Sequence, residues 1–118
     1  MTKLHAIPER FTPGYIDKLD GRTAIAVDMR ARWTELTNDL GGADRLSYAQ
    51  RSLVERALWI EHFIAIQEHA LAAGGDADMG RMTQATNSLL GLYRTLGLER
   101  RVKDVTSLAS YIADREAS

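Results

Sequence analysis

SYAQRSLVERALWIEHFIAIQEHALAAGG occupies residues 47–75 and carries the signature of one long helix. Ser47 and Gln50 sit three apart, so each side chain can satisfy a free backbone N–H of the first turn, the reciprocal arrangement called a capping box. Gly74 and Gly75 close the stretch, because glycine accepts the left-handed conformation found just past a helix end. A helix over residues 48–73 would be about 40 Å long at 1.5 Å per residue. It would carry two apolar stripes, Leu53, Ala57, Ile60, Ile64 and Leu71 on one side and Trp59, Phe63, Ile66 and Ala70 on the other. The stripes lie about 100° apart on the helix surface. A simple helical hairpin needs one stripe. Two predict burial on two sides, by other helices of the chain or by a second subunit.

Working outward, a helix is expected over residues 23–40, where Ala26, Met29, Trp33, Leu36 and Leu40 recur at alternating three- and four-residue steps. Gly41 and Gly42 end it. A further helix is expected over residues 78–96, with Met79, Met82, Thr86, Leu89, Tyr93 and Leu96 in a heptad pattern and Gly97 as its cap. Gly91 in its middle is unfavourable against alanine, and close approach of a neighbouring backbone would explain it. Residues 1–20 read as an arm. Pro8 and the Thr12-Pro13-Gly14 step favour extended or turn backbone, while Phe11, Tyr15, Ile16 and Leu19 offer apolar material for docking and one short helical turn. Residues 99–118 read as a basic linker followed by a short amphipathic helix that presents Leu108, Tyr111 and Ile112. The short loops between the main helices predict antiparallel neighbours. The expected fold is therefore all-α: an antiparallel helical bundle of three main helices plus a short C-terminal one. Its parts are an arm (1–20), a helical core domain (21–98) and a basic tail (99–118).

Composition bounds the chemistry. With 118 residues and 45% apolar side chains, the chain suits one domain with a modest core. Fifteen basic and 16 acidic side chains give a net charge of -1, which argues against coating nucleic acid by charge alone but leaves room for a local basic patch. The absence of cysteine excludes disulfides and thiolate metal sites and suits a cytoplasmic protein. The first ten residues lack the apolar run of a signal peptide, and Glu61, His62, Gln67, Glu68 and His69 interrupt the longest candidate membrane span.

Motifs for catalysis are missing, so no enzyme activity, metal or cofactor is expected. His62 and His69 share a helix face but lie about 10 Å apart along the axis, too far for one ion held at about 2 Å. Glu61 and Glu68 share a side of the helix but no sequence feature marks them for acid–base work, and Asp76 and Asp78 fit capping at a helix start. No nucleophile elbow, dinucleotide fingerprint or P-loop is present. The remaining candidates are cations and large apolar groups. Arg94, Arg100, Arg101 and Lys103 gather around the end of the last main helix, where they can pair with its carbonyls or contact phosphate. Trp59, Phe63, Ile66, Met82, Leu89 and Tyr93 are candidates for helix packing or subunit contact.

The order of these features resembles the small subunits of tailed-phage terminases. The similar elements are the lead-in Ile7-Pro8-Glu9-Arg10, a helix with Trp33 before Leu36 and Leu40, and Leu46-Ser47-Tyr48-Ala49-Gln50-Arg51 opening a long helix with Trp59, Glu68 and Leu71. The last is Leu89-Leu90-Gly91-Leu92-Tyr93-Arg94-Thr95-Leu96-Gly97-Leu98 before a basic segment. The resemblance spans about residues 7–104. It implies a viral DNA-packaging adaptor in the cytoplasm of a bacterial host. Such an adaptor forms a homo-oligomeric ring, binds double-stranded DNA and recruits the large ATPase–nuclease subunit, with no membrane involved. On that reading Arg94, Arg100, Arg101 and Lys103 contact DNA, and Leu108, Tyr111 and Ile112 dock the partner. The chain has no room for a separate helix-turn-helix domain, so DNA contact would depend on charge concentrated by the ring or be left mostly to the partner. The alternative is a helical structural or regulatory adaptor that grips another protein's helix and no nucleic acid.

Overall fold

The computed structural model describes residues 3–98. Within them the protein is all-α, with α1 at Tyr15–Lys18, α2 at Ala24–Asp39, α3 at Tyr48–Ala72 and α4 at Met79–Leu96, and a single 3-10 turn at Ala43–Arg45 between α2 and α3. No strand forms among the described residues; one parallel bridge joins Leu4 to Leu19. No helix there is long and apolar enough to cross a membrane.

The helix starts obey local chemistry. Thr23 accepts from the Ala26 N–H at 3.2 Å, and Asp78 accepts from the Arg81 N–H at 3.0 Å. Ser47 and Gln50 complete the expected box, at 3.1 Å and 2.9 Å. Gly97, at φ 85°, closes α4 in the left-handed region, and its N–H donates to the Arg94 carbonyl. The expected helix boundaries therefore hold to within a residue or two.

The core lies at one end of the molecule. Tyr15, Ile16 and Leu19 from the arm meet Ala26, Met29 and Leu40 from α2 and its C-cap, Leu46, Val54 and Leu58 from the start of α3, and Leu96 from the end of α4. Trp33, Leu36 and Leu98 pack around them, half-buried. The arm is thus an integral part of the core rather than an appendage. Asp20, buried at the corner between α1 and α2, accepts from the Arg22 backbone N–H and from its guanidinium at 2.9 and 3.1 Å. Those hydrogen bonds hold its carboxyl well below the usual carboxylate range.

Two expectations need correction. The buried face of α3 is Val54, Ala57 and Leu58, and of the two stripes read from periodicity only Ala57 belongs to it. The stripes are real lines of apolar residues, but most of their length lies beyond the core. Gly91, in turn, has open space around it: a Cβ there would meet nothing within 4 Å, so no neighbouring backbone among the described residues explains it. We therefore expect Gly91→Ala to raise stability by about 1 kcal/mol through helix propensity alone, measurable as a rise in the denaturant midpoint at unchanged slope.

Candidate functional site

The most distinctive surface is built where the N-terminal arm crosses α3. Leu4 anchors the arm by exchanging backbone bonds with its own downstream turn: its N–H donates to the Lys18 carbonyl at 2.8 Å, and the Asp20 N–H donates to its carbonyl at 2.7 Å. The Trp59 indole N–H donates to the Pro8 carbonyl at 2.8 Å. The Gly14 N–H donates to a Glu55 carboxylate oxygen at 2.6 Å. Between these points Phe11 lies edge-on to both Tyr15 and Trp59, with centroids 6.1 and 6.2 Å away, and the Arg56 guanidinium covers its ring at 4.1 Å. Aromatic pairs of this geometry add about 0.5–1.5 kcal/mol each beyond their burial. They fix the arm as a strap over the first half of α3.

Beyond Trp59 the strap stops covering the helix. Phe63 and Ile66 continue the same line and form, with Ile7 and Pro8, the apolar floor and wall of an open cleft of about 600 Å3. Glu9, Arg10, His62 and Arg81 supply its polar groups. Ile66 keeps 51% of its surface exposed. The stripe Trp59, Phe63, Ile66 singled out in the sequence is thus brought together in one place, half-buried at its first two members and open at the third. Of the other residues named for packing, Met82 and Leu89 are half-buried on α4. Tyr93 is half-buried and turned to a different side.

That other side holds a second groove, between α2, α3 and the end of α4. Leu36, Leu58 and Leu98 line its floor, and Arg32, Glu35, Asp39, Glu61 and Tyr93 line its walls. The Tyr93 hydroxyl donates to Glu61 at 2.5 Å. Burial, together with that bond to Glu61, pushes the Tyr93 phenol up, so it stays a donor throughout the physiological range. Burial and the nearby Arg32 pull the His62 imidazole below its ordinary value, which leaves it neutral at pH 7. Among the described residues no group of three His, Asp or Glu side chains could hold a metal ion. What the two surfaces offer is shape, apolar contact and charge.

Arg94 lies exposed in the last turn of α4, where a cation suits the helix dipole. Arg100, Arg101 and Lys103, and the docking candidates Leu108, Tyr111 and Ile112, fall outside the described residues. Sequence reasoning missed the parts of the cleft that come from far away, namely Pro8, Arg10 and Arg81 as walls and Glu55 as the strap's anchor. No local pattern marks a carbonyl or carboxylate that will meet a partner 41 or 51 residues away.

Glu55 yields a pH prediction. Burial raises its carboxyl above the ordinary glutamate value, against the Gly14 bond that lowers it. A carboxyl raised in the fold favours the protonated form, so it destabilises increasingly as pH rises through its folded value. Glu55→Gln keeps an oxygen for the Gly14 N–H and removes the charge. Its thermal midpoint should match wild type below pH 4 and meet or exceed it at pH 7. A deficit present at pH 7 that vanishes below pH 4 would show that the ionised bond outweighs the burial.

No protein-family model matches the chain, and neither does any curated protein or solved structure at the level that would show kinship.

Proposed function

We propose that the protein is a helical assembly adaptor, which associates with copies of itself and engages double-stranded DNA after the manner of a terminase small subunit, presenting it to a large ATPase–nuclease subunit. One observation carries the assembly part. No residue from 59 to 95 is buried, although that interval holds Trp59, Ile60, Phe63, Ile64, Ile66, Leu71, Leu89 and Leu90. Isolated exposed apolar residues need no explanation, but a long hairpin that leaves its stripes only half-covered fits a surface awaiting a partner. The packaging part rests on the sequence resemblance of residues 7–104. Arg94 would contact phosphate, joined by Arg100, Arg101 and Lys103.

A mass measurement in solution tests assembly, since a strict monomer at micromolar concentration would end the proposal. Titration of duplex DNA at several salt concentrations tests the rest, because contact through arginine and lysine loses affinity steeply as salt rises. A second reading is an adaptor that holds a protein and no nucleic acid. The groove beside α4 favours it, because Glu35, Asp39 and Glu61 outnumber Arg32 there and would repel phosphate. An oligomer that binds no duplex at any salt would decide for it.

A further inference from the structure

The described chain ends in the groove between α2, α3 and the end of α4. Leu98, half-buried, lines its floor beside Leu36 and Leu58, and residues 99–118 continue from that point. Whatever follows Leu98 starts at the groove, and so short a tether gives it an effective concentration of about millimolar or more.

The groove is negative for two reasons. Glu35, Asp39 and Glu61 stand on its walls against one cation, Arg32, and the Arg32 guanidinium also lies 3.2 Å from Asp28. Glu61 accepts from the Tyr93 hydroxyl, and a carboxylate has room for further donors. In addition, α2 ends at Asp39 and α4 at Leu96, so two helix C-termini, each the negative end of a dipole, lie at this groove. The last turn of α2 carries no basic residue of its own.

The sequence that leaves the groove has the opposite charge. Arg100-Arg101-Val102-Lys103 places three cations in four positions, with Glu99 and Asp104 at its two ends. Lengths match as well. The α2 wall from Arg32 to Asp39 runs about 10 Å at 1.5 Å per residue. The five residues from Leu98 to Lys103 reach at most about 17 Å, enough to cover it.

We infer that residues 99–103 occupy the groove of their own protomer, with Arg100, Arg101 and Lys103 set against Glu35, Asp39 and Glu61. The inference goes beyond the assembly reading and holds with or without duplex binding. Where these cations also contact phosphate, groove and duplex compete for them, and binding lifts the tail off its own protomer.

The test is limited digestion of the full chain by trypsin, which cleaves after Arg and Lys and needs the side chain free. Fragment masses report cleavage after Arg100, Arg101 and Lys103. Glu35→Lys with Asp39→Lys reverses the groove wall at two exposed positions. Glu68→Lys with Asp76→Lys makes the same charge change at exposed positions near the other end of the α3–α4 hairpin. Circular dichroism establishes that both variants remain helical. The groove pair should speed cleavage at the tail about tenfold over wild type, the effect of losing several exposed ion pairs on the population of the undocked tail. The distant pair should leave the rate unchanged, and wild-type protection should persist on strong dilution. Equal rates in wild type and the groove pair would overturn the inference, as would equal acceleration by both pairs, which is the mark of net charge alone. Protection that fades on dilution would put another copy's tail in the groove and overturn it too. Should the lysine pair lose its helical signal, Glu35→Gln with Asp39→Asn replaces it: cleavage should again be faster, and a wild-type rate would overturn the inference.

Discussion

Tyr15→Ala is expected to lower stability by about 3–5 kcal/mol, the range for removing a buried aromatic side chain. Tyr15 has no exposed surface and packs between the arm, α2 and α3. Its hydroxyl donates to the Glu55 carbonyl at 3.2 Å and approaches the Met29 sulfur at 3.9 Å. Burial pushes the phenol well above its ordinary value, so it remains a donor throughout the physiological range. Tyr15→Phe should keep the packing and lose only about 1 kcal/mol with the hydrogen bond. Thermal melts of the two variants separate the contributions: for a domain of this size the alanine variant should melt more than about 10 °C lower. An alanine variant within about 1 kcal/mol of wild type would place the arm outside the cooperative unit, contrary to the packing described above.

The second large effect is a contrast along one helix. Leu58, 1% exposed, should cost about 2–5 kcal/mol on truncation to alanine, whereas Ile66, two turns further on and half in solvent, should cost about 1 kcal/mol or less. Chemical denaturation of the dilute protein measures both. Under the proposed assembly, repeating it at concentrations where copies associate should enlarge the Ile66 effect and leave that of Leu58 unchanged, because Ile66 is exposed and Leu58 is not. Equal effects for the two residues at low concentration would mean that the hairpin is sealed along its whole length.

That contrast also explains what was legible before the structure. Helix ends were readable because their causes are local: Ser47 and Gln50 are three residues apart, and Gly97 answers to its own backbone. The stripe Trp59, Phe63, Ile66 was readable because a helix repeats every 3.6 residues. Depth was not, because periodicity reports an angle around the axis and says nothing of position along it. Val54 and Leu58 are buried, and Ile60 and Ile64 less so, because the arm, α2 and Leu96 converge near the first half of α3 and not the second. The site followed the same rule. Its floor came from one helix and was visible, while its wall at Pro8 and its anchor at Glu55 depend on contacts that only the folded chain brings about.

The bonds from Trp59 to Pro8 and from Gly14 to Glu55 close intervals of 51 and 41 residues. Joining ends so distant costs chain entropy that must be spent before either bond contributes anything. The pairing of α3 with α4, by contrast, closes across a loop of a few residues. Order in time follows: helices and hairpin first, arm afterwards. On a ribosome the arm emerges before α3, and it settles only once α3 exists to receive it.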